Sequence, residues 1–391
     1  MRIAMIGTRG VPAQYGGFET AVEEIGRRLA DSGDDVTVYC RGATEPRPTT
    51  YLGMRLVHLP AVHHKALETL SHTGISVAHA VTRARFDAAL VFNAANSVFS
   101  PLLRARRIPF AVHVDGLEWQ RAKWGGAGRR YYRMAESLAV RWADALIADA
   151  QGIADYYTDE FGTSTELLSY GAPIQGEPTH IHLGAVQVDP GRYHLVVARF
   201  EPENHVDLIV EAYRNSHAKL PLVVIGSAPY ADEYTQRIQQ AADGDERIRL
   251  IGAVWDQDLL DELYANALTY VHGHSVGGTN PSLLRAMGAG SAVLAFDVSF
   301  NRDVAGEHGL YFAGSDRLAR QFEEAEAHRE AFYARGEHLR ERARTTYRWD
   351  DVAAGYADLL RRLVDGETNR GSASGQRVGR RAVRRVGHVP A

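Results

Sequence analysis

A single cysteine, Cys40, stands among 391 residues, so no intramolecular disulfide and no cysteine-built metal site can form within the chain, in agreement with a reducing cytoplasm. No stretch approaches the roughly 18 to 20 consecutive apolar residues of a spanning helix, and membrane association is therefore expected to be peripheral at most. The N-terminal run MRIAMIGTRG is interrupted by Gly7, Arg9 and Gly10 before a signal-peptide core could be completed, and reads as the first strand of the fold. A formal net charge of −4 supplies no global attraction for nucleic acid.

What is present is the composition of a soluble globular protein, 45% hydrophobic and 24% charged, with length enough for two domains of roughly 150 to 190 residues. Strand and helix patterns alternate through the first half: 2–6, the helical 18–32, 35–39, 88–92, 110–114, the helical 131–143 and 145–148. The stretch 173–190 loses periodicity and reads as a linker. A second alternation follows, with strands at 194–198, 222–226, 248–251 and 267–271 and helices at 205–215, 232–242 and 257–266. The expected fold class is α/β, two Rossmann-like, doubly wound parallel-sheet domains over 1–175 and 190–346 that face a central cleft. Asp350 is placed to cap an amphipathic helix over 350–364. The segment 366–391 holds Gly, Ser and Arg without apolar periodicity and reads as a disordered basic tail; its arginine pairs are either solvated or a contact for anionic lipid or nucleic acid.

The segment VHGHSVGGTNPSLLRAMGAGSAVLAF, from Val271 to Phe296, carries the most chemistry. An apolar strand enters a Gly277–Gly278–Thr279 loop, and a helix opens at Asn280, Pro281 and Ser282. Free backbone N–H groups and the positive end of a helix dipole then converge, which suits a diphosphate. Arg199, leaving the strand 194–198, would neutralise phosphate oxygens or form a surface ion pair. In the first half, Gly16 and Gly17 precede a helix, either to admit a ligand to the backbone or as a structural turn. A dinucleotide fingerprint is missing there, since strand two ends Tyr39, Cys40, Arg41 with no acid. His113, Asp115, Gly116 and Glu118 leave the strand 110–114 where a histidine and carboxylates would bond sugar hydroxyls, the alternative being a structural strand-end histidine; no third ligand accompanies His113 and Asp115 for a metal.

The runs IGTRGVPAQYGGFET, VHVDGLEWQRAKW, VARFEPEN and HGHSVGGTNPSLLRAMGAG together resemble the retaining glycosyltransferases of the GT-B fold, family 4 type. The N-terminal run is similar to a bacterial rhamnosyltransferase-like subgroup. The resemblance covers about residues 1–364 and implies an acceptor-binding first half, a nucleotide-sugar-binding second half and a final helix crossing back to the first domain. It implies Arg199 on the donor diphosphate, Gly277, Gly278, Thr279 and Asn280 around the phosphates with Ser282 behind them, Gly16 and Gly17 on the facing wall, and His113 beside the transferred sugar. Asp115 and Glu118 would meet the acceptor. Such enzymes add a lysine where this chain has Asn204, and two glutamates, near the sugar and on the ribose, where it has Ser275 and Arg285. Arginine is donor-only and cannot accept ribose hydroxyls; Arg285 would aim at a phosphate or base carbonyl, or be a solvated helix residue.

The function so implied is transfer of a sugar from a nucleoside-diphosphate sugar, dTDP-rhamnose or a UDP- or GDP-hexose, to a hydroxyl of a glycan or lipid-linked glycan of a surface polysaccharide. Retention, no metal and no cofactor beyond the co-substrate are expected, in the cytoplasm or peripherally on the inner face of the membrane. Nucleic acid is not an expected partner. The alternative is a catalytically impaired homologue that binds nucleotide sugar or supports a partner enzyme. Trp119, Lys123, Trp124 and 129–132 are either core aromatics or an apolar-basic membrane surface.

Overall fold

The computed structural model describes residues 1–13, 17–42, 48–62, 67–114, 116–121, 124–227 and 232–367. Two sheets organise them. The first contains β1 (Arg2–Ile6), β2 (Asp35–Arg41), β3 (Thr50–Tyr51), β4 (Met54–Leu59), β5 (Ala88–Phe92), β6 (Phe110–Val114), β7 (Ala145–Ala148) and β8 (Glu166–Leu167), in the order β3-β4-β2-β1-β5-β6-β7-β8. The second contains β9 (His194–Val197), β10 (Leu222–Ile225), β11 (Ile248–Gly252), β12 (Thr269–His272), β13 (Ala292–Phe296) and β14 (Leu310–Phe312), in the order β11-β10-β9-β12-β13-β14. The near-continuous apolar runs RIAMI, AALVF and AVLAF are those of parallel strands covered by helices on both faces.

All pairings are parallel except β3 with β4, an antiparallel departure from the all-parallel expectation. The turn between them places Leu52 and Gly53 both at positive φ, 47° and 76°, the backbone of a tight hairpin. A leucine is a poor signal for that conformation, and the hairpin is not legible from residue type.

The order of each sheet reverses once, between β1 and β5 in the first and between β9 and β12 in the second. Chains leaving strands at such a reversal diverge to opposite faces and open a crevice at the carboxyl ends. The segments after β9 and β12 border one crevice; those after β1, β5 and the neighbouring β6 border the other.

The domains share packing. One apolar cluster runs from Ile3, Met5 and Ile25 through Tyr170 and Ala172 to Leu195, Tyr270 and Met287, then to Leu359, Leu360 and Leu363 of the last helix. That helix, Trp349–Val364, lies against the helix Gly17–Asp31 of the first domain. Asp350 does not cap it: the capping residue is Arg348, without a side-chain cap bond, and Asp350 lies in the first turn, where it accepts from Arg28 Nε at 2.7 Å. With Asp350 72% exposed, that pair contributes about 1 kcal/mol or less, so apolar burial holds the crossing. At the other end Arg362 pairs with Glu166 at 3.0 Å.

The connection between the sheets is tied to the second domain. Glu262 accepts from Thr179 Oγ1 at 2.8 Å and from the amides of Ile181 and His182 at 3.0 and 2.7 Å. Among the described residues no helix is long and apolar enough to cross a membrane. The basic tail expected over 366–391 lies outside the described residues from 368 onward.

Leu360→Ala is expected to lower the unfolding free energy by about 2–5 kcal/mol, whereas Val364→Ala, at a 43% exposed position of the same helix, should cost well under 1 kcal/mol. Chemical denaturation of both variants checks the difference.

Candidate active site

The glycine loop leaves β12 at the second sheet's reversal. Asn280 caps the helix Pro281–Gly288, its side-chain oxygen accepting from Ser282 N at 2.9 Å, and Pro281 occupies the first turn where no N–H is needed. The helix therefore presents its positive end beside Gly277, Gly278 and Thr279. Gly277 sits at φ 135°, a backbone that a side chain would strain.

This loop touches the first domain backbone to backbone. A Cβ added at Gly116, just beyond β6, would stand 2.5 Å from Gly277 Cα, and one added at Gly278 would overlap Asp149 Oδ1. Gly17 faces Pro281 in the same way, its added Cβ 3.0 Å from Pro281 Cγ. Thr279 Oγ1 donates to Asp149 O at 2.7 Å. Of the facing-wall residues Gly16 and Gly17, Gly17 lies at this contact and Gly16 outside the described residues, as does Asp115, expected at the acceptor.

Asp149, at the carboxyl end of β7, was not singled out by the sequence reading; its position at a strand end facing the cleft was the available signal. Burial dominates its carboxyl group, whose Oδ1 has no hydrogen-bond partner among the described residues, and pushes it up to about 7 against the lowering influence of the nearby Thr279 amide and Tyr170 hydroxyl.

His113 is buried, with neither ring nitrogen hydrogen-bonded among the described residues. Phe18 meets it edge-on at 5.0 Å, and Phe92 and Tyr170 stack at 5.7 and 6.0 Å. Burial drives its imidazole down to about 3, so the ring is neutral throughout the physiological range. Glu118, also buried, forms an ion pair with Arg121, 2.6 Å from carboxylate to Nε. Arg121 reaches across to Glu201 of the second domain at 3.8 Å, and Glu201 lies 3.6 Å from Arg199 Nη1. Glu118 therefore faces a chain of alternating charges that joins the domains. Arg199 keeps 40% of its side chain exposed.

Three residues expected at the donor have other neighbours. Asn204 is buried, donating to Arg199 O at 2.8 Å while its oxygen meets His274 Nδ1 at 2.8 Å. Ser275 donates through both its amide and its hydroxyl to Glu203 O, at 2.9 and 3.1 Å. The Arg285 guanidinium bonds Asp261 at 2.7 and 2.9 Å and Gln257 at 3.0 Å, and lies 5.5 Å over Tyr264. Asp261 also accepts from Gln175 of the interdomain connection at 2.7 Å. Arg285 is thus neither a solvated helix residue nor a group directed at the loop in this structure; it clamps two helices and the connection.

The aromatics weighed as a membrane surface are packed together. Trp124 lies 5.1 Å from the buried Tyr132, Arg133 stands 5.1 Å over Trp119, and Tyr131 donates to Ala95 O at 2.7 Å. Arg129 and Arg130 are exposed beside them. Among the described residues no cluster of three or more His, Cys, Asp or Glu side chains is arranged to hold a metal.

Two doubly wound sheets meeting through a glycine loop and a helix start define the GT-B class of folds. Residues 16–170 match the glycosyl transferase 4-like domain and residues 186–346 the glycosyl transferases group 1, so the chain belongs to the family 4 glycosyltransferases. Sucrose-phosphate synthase from Thermosynechococcus elongatus superposes with a TM-score of 0.79 over 93% of this chain and 99% of that one, at 19% identity. HepE from Anabaena, in complex with UDP, superposes at 0.72 over 92% and 100%, with 15% identity. At these identities the likeness establishes the fold. O-antigen chain mannosyltransferase B of Escherichia coli is 28% identical over 122 residues, 30% of this chain, and the match spans 32% of that relative's length.

The Asp149 carboxyl, near 7 when folded against an ordinary 3.8, binds its proton more tightly in the native state. Its contribution to stability is complete below about pH 4 and is lost as the pH rises through 7. Asp149→Asn should flatten that decline; unfolding midpoints of both proteins from pH 4 to 8 check it, and parallel curves would assign the titration elsewhere.

Proposed function

We propose that this chain transfers a sugar from a nucleoside-diphosphate sugar to a hydroxyl of a glycan or lipid-linked glycan, with retention at the anomeric carbon. The contact of the Gly277–Gly278 loop with Gly116 and Asp149 carries the reading, because it brings a helix start and an anion-binding loop against the strand ends of the opposite domain. The family membership and the UDP bound to the structurally similar HepE support it.

In this reaction the acceptor oxygen bonds to the anomeric carbon as the bond from that carbon to the phosphate oxygen breaks, its electrons leaving with the nucleoside diphosphate. The acceptor proton passes to a leaving-phosphate oxygen on the same face. Arg199 and the loop amides meet the charge that develops on the diphosphate, and the helix dipole at Pro281 adds to them. Arg199 suits this role because its neighbour Glu201 stands at 3.6 Å, a loose pairing that leaves the guanidinium half-exposed. We assign His113 to orienting the sugar: a neutral ring with two unbonded nitrogens offers hydrogen bonds to hydroxyls without competing for the acceptor proton. Domain closure brings the reacting atoms together and excludes water. No metal is assigned to the reaction.

The donor is a dTDP-, UDP- or GDP-sugar, and the acceptor a surface-polysaccharide glycan, as the similarity to the O-antigen mannosyltransferase suggests. Residence in the cytoplasm follows from such a donor; the exposed Arg129 and Arg130 would meet an anionic inner membrane surface. A second reading draws on the engagement of Ser275 by Glu203 and of Arg285 by Asp261: a homologue that binds nucleotide sugar without turning it over. Transfer and hydrolysis assays with UDP-, GDP- and dTDP-sugars separate the two.

Arg199→Ala is expected to lower kcat/KM by about 10²–10³-fold with the fold intact by circular dichroism, and His113→Ala to lower transfer strongly as well. Near-normal turnover of purified Arg199→Ala would remove the phosphate role. For Arg285→Glu, which sets two carboxylates side by side at Asp261, thermal stability should drop while nucleotide affinity measured by calorimetry stays unchanged; a fall of about tenfold in that affinity would return Arg285 to the donor.

A further inference from the structure

His274 leaves β12 two residues beyond His272 and directly precedes Ser275 and the glycine loop. Its ring is buried, and its carbonyl oxygen is held by Asn301 Nδ2 at 2.9 Å. The tautomer follows from one neighbour. Asn204 uses its NH₂ group to donate to Arg199 O, so its oxygen is the atom that meets His274 Nδ1 at 2.8 Å, and Nδ1 must carry the hydrogen. The other nitrogen, Nε2, is then a bare lone pair, with no hydrogen-bond partner among the described residues. It points at the glycine loop, 3.1 Å from where a Cβ on Gly277 would stand. Burial, with His272, Arg121, Arg199 and His205 nearby, holds the ring well below the ordinary histidine range and keeps that lone pair unprotonated.

An unprotonated acceptor of this kind repels phosphate oxygens and calls for a hydroxyl or N–H donor. It lies on the second domain's own side of the loop: the Cβ position of Gly277 that faces it has no atom of Gly116 within 4 Å. Ser275 does not compete for that place, since its hydroxyl bonds Glu203 O. The geometry points to His274 as a sugar-recognising residue: its Nε2 accepts a hydrogen bond from a hydroxyl of the transferred sugar held at the glycine loop. Asn204, where a phosphate-facing group was expected, becomes the residue that sets the imidazole tautomer. This assignment rests on the nucleotide-sugar reading above.

Calorimetry on the full chain with UDP, GDP and dTDP, then with UDP-glucose, GDP-mannose and dTDP-rhamnose, identifies the base and measures what the sugar adds to binding. His274→Asn keeps a polar atom facing Asn204 and deletes the acceptor; His274→Gln returns a carbonyl oxygen near the place of Nε2. For His274→Asn, kcat/KM with the matching donor should fall about ten- to a hundredfold while affinity for the bare nucleoside diphosphate is unchanged, and His274→Gln should recover most of the loss. Equal losses for the bare diphosphate and the nucleotide sugar would make His274 a prop for the loop and overturn the assignment, as would unchanged transfer. A wild-type chain that binds none of these nucleotides fails before any substitution is made, and overturns the donor reading together with this one.

Discussion

The approach of two backbones at Gly116, Gly277 and Gly278 is the constraint on which the rest of this structure depends. Side chains on Gly116 and Gly278 would collide with the opposing domain, one on Gly277 would meet His274 of its own domain, and without the approach the loop amides and the helix start at Pro281 would face open solvent. Both sheets reverse their strand order beside this contact, so each domain opens its crevice toward the other. The last helix holds the arrangement from behind, through apolar burial on the first domain.

Burial does the remaining electrostatic work. His113, His272 and His274 are each removed from water and kept neutral, which makes their nitrogens directional hydrogen-bonding groups rather than charges. The ionised groups are handled in the opposite way, by alternation across the gap: Glu118, Arg121, Glu201 and Arg199 succeed one another from the first domain to the second. Such a chain holds Arg199 loosely and leaves 40% of its side chain exposed. Asp149 sits between these regimes, a buried carboxyl that removal from water pushes up to about 7.

The strand and helix alternation was legible because fully buried parallel strands read as short apolar runs, and AVLAF or AALVF admits few other assignments. The hairpin at Leu52 was not, since its turn depends on backbone angles that leucine does not advertise. The glycine loop, Gly17 and the strand end at His113 were legible because glycine spacing and strand ends are local properties. The partners of Asn204, Ser275 and Arg285 were not, because each is set by a neighbour distant in sequence: His274, Glu203 and Asp261 respectively. Asp149 escaped for the same reason, its contact with Gly278 spanning the gap between domains.

By itself the sequence determined the class of fold, the two-domain division and the glycine loop that opens a helix at Pro281, since periodicity and glycine placement act over a few residues. Only the tertiary structure decided which polar groups face the cleft and which face protein. Hydrogen-bond partners are chosen by distance in space, and a donor or acceptor removed from water binds whatever the fold brings to it.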